Sequence, residues 1–131
     1  MPRGPVPAHF DALLTSDAVG HLATIGQVGT PQVNPVWFIW DGQHLLLSVK
    51  ADTIKYRNLR QNPALAISIV DPAESHHYLE LRGVVEQFDH YRTLDFVNLL
   101  AQKYTGKDMD PAQDGLDRYK LTVAIHTWTG Q

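Results

Sequence analysis

Two hydrophobic periods share this chain, one of three to four residues and one of two. Phe10, Leu13 and Leu14 recur at helical spacing and predict a short amphipathic helix over 8–14, behind a lead-in kept extended by Pro2, Pro5 and Pro7. From Gly20 onward the period of two takes over. Residues 20–25 read as a strand, 26–30 as a turn, and 32–40 as a second strand rich in β-branched and aromatic side chains. Asp41-Gly42 is a strong hairpin signal, with 44–49 as the returning strand. Asp52 then reads as the N-cap of a short helix bearing Ile54, Tyr56 and Leu59, stopped at Asn62-Pro63. A strand pair, 64–70 and 78–88, follows across a loop at 71–77, and Gly83 inside it marks a bulge or a close backbone approach. Phe96, Val97, Leu100, Ala101 and Tyr104 form a core-facing stripe on the longest expected helix, 90–104. Beyond a polar loop at 106–115, alternation over 121–128 predicts the last strand.

Strands in this order, interrupted by two or three short helices, predict a mainly β fold with α elements (α+β), an antiparallel barrel rather than a parallel sheet. No repeat or low-complexity tract divides the chain, so 1–131 is expected to be one domain, long enough for a core of its own. The net charge of −3, histidines neutral, supplies no general field for nucleic acid or an anionic membrane, so any anion site must be a local arrangement. Cysteine is absent, which removes disulfides, thiolate catalysis and thiolate metal ligands. No stretch is apolar enough to span a membrane and the first residues lead into no signal-like run, so a soluble cytoplasmic protein is expected.

The chemistry concentrates between Leu45 and Pro63. A strand ends in Ser48 and Lys50, a turn follows, and a helix starts near Asp52 or Thr53 with Lys55 and Arg57 in or beside its first turns. A helix N-terminus presents unpaired N–H groups and a positive dipole end, and nearby cations and hydroxyls add to its attraction for phosphate. Asp52 works against this, because a carboxylate already on the cap competes with an anion. Composition alone favours the plainer reading, a solvated helix face with its own cap.

The combination nevertheless resembles the phosphate-binding segment of pyridoxamine-phosphate-oxidase-like flavoproteins, in Ser48, Lys55, Asn58, Leu59, Asn62 and Pro63. Gly20-His21-Leu22-Ala23-Thr24 followed by Gly29-Thr30-Pro31-Gln32-Val33-Asn34-Pro35-Val36-Trp37-Phe38 is similar to the family's two opening strands. The likeness runs from about Phe10 to the last strand and is strongest between Gly20 and Gly83. It implies a six- to seven-stranded antiparallel split β-barrel of the FMN-binding type. It assigns Ser48 and Lys55 to the cofactor phosphate, with Thr53 and Asn58 as neighbours and Lys50 available for an anionic tail. Gln32, Asn34, Pro35, Val36 and Trp37 would line the edge or face of the ring. Related chains often carry a basic residue where Thr53 stands, so the hold on an acidic tail is expected to rest on Lys50 and Arg57 instead.

Lys55-Tyr56-Arg57-Asn58-Leu59, with Pro31-Gln32 before the ring strand, is more similar to the branch that uses coenzyme F420, a deazaflavin, than to the FMN-using members. The Arg-rich C-terminal substrate site of the true oxidases has no counterpart here, so pyridoxamine phosphate oxidation is not expected. The resemblance implies a reductase that passes a hydride from reduced coenzyme F420 to an unsaturated, carbonyl-conjugated small molecule. Alternatives are an FMN-binding oxidoreductase or flavin reductase of the same fold, or a non-catalytic binder of flavin, deazaflavin or haem. A homodimer with cofactor sites at the subunit interface is expected, since a small barrel with short helices leaves a broad apolar face.

No acid or base stands out. His76, His77 and Tyr78, on a loop and strand edge reaching the ring from the partner subunit, are the catalytic candidates; read from the residues alone, the two histidines are solvated loop positions. Adjacent residues on a strand point to opposite faces, so the pair makes no metal site, and none is expected elsewhere. His21 and His126 read as structural, and Trp37, Trp40 and Trp128 mainly as core or interface bulk, with Trp37 the best placed of the three for ring contact.

Overall fold

A computed structural model describes residues 4–91, 93–110 and 117–131. A 3₁₀ turn at Ala8–Phe10 runs into helix α1 (Asp11–Thr15). Strands β1 (Gly20–Ile25), β2 (Pro31–Val36), β3 (Phe38–Trp40) and β4 (His44–Lys50) follow, then helix α2 (Ile54–Gln61). Strands β5 (Ala64–Asp71) and β6 (Glu74–Tyr91), helix α3 (Asp95–Thr105) and strand β7 (Arg118–Gly130) complete the order. The seven strands form one antiparallel sheet, β2-β1-β5-β6-β7-β4-β3, curled into a half-barrel. This is the split-barrel fold that the resemblance implied.

Strict alternation builds the core. Leu45, Leu47 and Val49 of β4 point inward, as do Leu65, Ile67 and Ile69 of β5. Phe10 and Leu14, from the chain's first helical turns, join the same cluster with almost no exposure. Each such side chain stabilises the fold by about 1.5–3 kcal/mol relative to leaving it in water.

The single strand expected over 32–40 is two strands. Pro35 has no N–H to give a ladder, which confines its segment to a sheet edge. The chain therefore pairs with β1 as far as Val36 and, after Trp37 alone, restarts at Phe38 as a partner of β4. The two edges of the sheet are consecutive in sequence, joined by one residue.

Gly83 marks both expected features. Register shifts between Arg82 and Gly83, and a Cβ on Gly83 would fall 1.9 Å from the carbonyl oxygen of Ala124. β6 is longer than expected at both ends. Tyr78 exchanges backbone hydrogen bonds with Gln131, which draws 74–77 into the strand, so His76 and His77 are strand rather than loop residues. Tyr91 and His90 pair with Arg118 and Tyr119 of β7, which delays α3 to Asp95 and begins β7 three residues before the expected strand. Pro2 of the expected lead-in, Arg92 of the expected helix and the 111–115 part of the expected loop lie outside the described residues.

Candidate functional site

The end of β4, the first turn of α2, the start of β7 and one face of α3 surround a cleft of about 410 Å³. That is ample for a small-molecule ring, at the lower end of the range for ligand pockets. Its composition is sharply divided. Ser48, Lys55 and Arg118 make a polar end, while Val36, Trp37, Val97 and Leu100 supply most of an apolar wall.

Strand pairing assembles the polar end. Because β4 and β7 run antiparallel in register, Lys50 stands opposite Arg118 and Ser48 opposite Lys120. Arg118 Nη1 donates to Ser48 Oγ at 3.3 Å, and the Ser48 and Tyr91 hydroxyls are in hydrogen-bond contact. Lys55 reaches the same place from α2. Half-burial, and then the positive charges of Arg118 and Lys50, hold its ammonium below its ordinary pKa. Among the described residues no carboxylate pairs with Lys50 or Lys55. Like charges side by side cost free energy unless an anion lies between them.

The cap of α2 differs from expectation in a way that favours the same chemistry. Thr53, not Asp52, is the N-cap: its Oγ1 accepts from the Tyr56 N–H at 3.4 Å and donates to the Lys50 carbonyl at 2.7 Å. Asp52 is exposed, so no carboxylate occupies the helix start as a rival to a bound anion. Thr53 has the geometry to close this turn, since a β-branched hydroxyl serves as donor and acceptor at once.

Of the residues singled out from sequence, the structure brings Pro35, Val36, Trp37, Ser48 and Lys55 to the cleft. Lys50 stands beside it as a charge, exposed at the end of β4. Asn58 is directed elsewhere: its buried side-chain amide donates to Thr24 Oγ1 at 3.0 Å, tying α2 to β1. Arg57 is exposed on α2. Gln32 and Asn34 are half-buried on β2, with Gln32 in register opposite Thr24; neither lines the cleft. His76, His77 and Tyr78 open β6 and also lie apart from it. His77 Nδ1 lies 2.8 Å from the Gln131 carbonyl oxygen and its ring stacks on Phe10.

Sequence reading missed Arg118, Tyr91, Val19 and Met109. Carrying the alternation of the last strand back past Leu121 would have reached Arg118. Val97 and Leu100 were visible as an apolar stripe, but they wall the cleft rather than joining the central core cluster. Nothing in the sequence near Met109 signals its place.

Trp37, at the junction of the sheet edges, is backed by Tyr104 of α3, ring centroids 5.0 Å apart and planes within 5°. The fold is a split barrel with a half-polar, half-aromatic cleft at its edge. The sequence profile of the pyridoxamine 5'-phosphate oxidase family matches residues 6–129, and the chain belongs to that family. It is 40% identical to an F420 reductase of known structure, with a TM-score of 0.89 over 96% of this chain and 100% of that one. HupZ from Group A Streptococcus is similar in fold alone, at 14% identity and a TM-score of 0.71 over 95% and 93% of the two chains. A conserved hypothetical protein from Mycobacterium tuberculosis is likewise similar in fold, at 20% identity and 0.66 over 96% and 84%.

Proposed function

We propose that this chain is a coenzyme F420-dependent reductase acting on an unsaturated, carbonyl-conjugated small molecule. One observation carries the reading: Ser48, Lys55 and Arg118, with Lys50 beside them, make one end of a cleft whose other walls are apolar and aromatic. A flat ring joined by a short polyol to a phosphate has that division of character. The 40% identity to an F420 reductase over the whole of that chain supports the deazaflavin rather than FMN.

When bound, the reduced deazaflavin supplies the hydride. The protein's part is placement. Lys55 and Arg118 hold the phosphate oxygens, with Ser48 donating from between them, and Lys50 at the outer rim meets an acidic tail. Trp37 and Val36 face the ring while Val97 and Leu100 keep water from it. Pro31 and Pro35 cannot donate from β2, so backbone contact from this edge strand falls to its other residues and its carbonyls. Two chains arranged about a twofold axis would bring His76, His77 and Tyr78 of the partner subunit towards the cleft. The chain as a single domain, the dimer and a cytosolic setting belong to this same reading. Among the described residues no helix is long and apolar enough to cross a membrane.

A second reading, a non-catalytic carrier of the same ring, has its own support. Among the described residues lining the cleft there is no carboxyl or imidazole to serve as an acid. Titration of the purified protein with coenzyme F420 and, separately, FMN, followed by tryptophan quenching, tests both. Preferential binding of F420, with reduced F420 oxidised faster when an enone is added, is the expected result. Binding without turnover across a panel of enones supports the carrier. Preference for FMN moves the function to flavin chemistry at the same site.

A further inference from the structure

Trp37 is the single residue between the two edge strands β2 and β3. The backbone just after it lacks a strand on one side. Two adjacent side chains of α3 stand in for that strand. The Tyr104 hydroxyl accepts from the Phe38 N–H at 3.3 Å and donates to the Ala18 carbonyl at 3.1 Å. Lys103 Nζ donates to the Phe38 carbonyl at 2.8 Å and sits 3.9 Å from the centre of the Phe38 ring. Trp37 lines the cleft, whereas Tyr104 does not; it lies nearly parallel against Trp37 from behind.

We infer that Tyr104 is a positioning residue: by stacking its ring behind Trp37, Tyr104 fixes the aromatic face that Trp37 presents to a bound ring. The inference rests on the reading of the cleft as a ring-cofactor site, but its structural half stands independently. An offset parallel pair restricts both rings, and a ring already restricted loses less entropy when a ligand lies on it. Burial raises the Tyr104 phenol to about 12, so it remains a donor across the working range of pH. Val97 and Leu100 on the same helix wall the cleft, so α3 sets that wall and the Trp37 ring together.

The test uses full-length protein carrying Trp40→Phe and Trp128→Phe, which leaves Trp37 as the only tryptophan of three. Acrylamide quenching of Trp37 and affinity for coenzyme F420 are measured in this background and with Tyr104→Phe or Tyr104→Leu added. Far-UV circular dichroism checks folding. Tyr104→Leu is expected to raise Trp37 quenching at least twofold and weaken F420 about tenfold, while Tyr104→Phe, which keeps the ring, restores most of both. A folded Tyr104→Leu variant with unchanged quenching and affinity overturns the inference. So does a Tyr104→Phe variant that loses Trp37 protection, and that comparison decides the matter if Tyr104→Leu does not fold. If no variant or parent binds F420 or FMN, the cofactor reading fails while the quenching result still decides how Trp37 is held.

Discussion

Lys50 and Arg118 stand directly across from one another on β4 and β7, two cations on adjacent strands with a third, Lys55, close enough to share their field. A sheet selected for stability alone would set opposite charges at such a pair. The juxtaposition concentrates positive charge at one end of the cleft.

Lys55→Ala is expected to weaken cofactor binding by about 1.5–3 kcal/mol, the usual worth of a charged hydrogen bond. Isothermal titration with coenzyme F420 measures it. Unchanged affinity would move the phosphate elsewhere.

Arg118→Gln is expected to cost a similar amount, about 1.5–3 kcal/mol, and to reduce the salt sensitivity of binding. Because Lys55 and Arg118 repel each other in the free protein, the two losses should not add. A double-mutant cycle reads the coupling, and strict additivity would mean that the two cations hold different groups.

Trp37→Ala is expected to leave the fold intact while changing ring affinity by about 0.5–1.5 kcal/mol, as for other aromatic pairs. Thermal unfolding and cofactor fluorescence check the two halves separately. Loss of cooperative unfolding would assign Trp37 to the core instead.

Gly83→Ala is expected to destabilise by about 1–3 kcal/mol or more, since the added carbon meets the Ala124 backbone rather than a side chain able to move. Urea denaturation reports it. A neutral result would require the β6–β7 bulge to relax without loss.

Lys103 gives a pH signature. Burial lowers its ammonium to about 8, against an ordinary value of 10.5. Between those values the unfolded chain binds more protons than the folded one, so this group's contribution to stability rises with pH from about 8 to about 10.5. Comparison of the melting temperature of wild type with Lys103→Met across that window isolates it. The wild-type-minus-variant difference should increase with pH, and a flat or falling difference would show that the carbonyl contacts outweigh burial.

The strands and the hairpin at Asp41-Gly42 were legible because one face of each strand is buried, and burial writes itself into a period of two. Asp41 and Gly42 behave as their turn demands: Asp41 Oδ1 accepts from Gln43 N at 2.8 Å, and Gly42 sits at φ +97°. Element ends were less legible, because they depend on partners far along the chain. Nothing local to His76 and His77 says that Tyr78 exchanges hydrogen bonds with Gln131, and nothing near His90 says that Tyr119 extends the ladder to meet it. The site was half readable. Ser48 and Lys55 lie within one short segment whose chemistry is concentrated. Arg118 arrives by strand pairing over a separation of 70 residues from Ser48, which no local pattern records.

The one-residue passage at Trp37 also bears on how this architecture tolerates changes in chain length. Surface connections ordinarily absorb insertions at little cost. Here an added residue would lengthen the one-residue connection between the two edge strands, loosening them where the cleft's aromatic wall stands. New termini or inserted tags should be accommodated instead at the exposed hairpin tip around Gly42, where the chain reverses without lining the cleft.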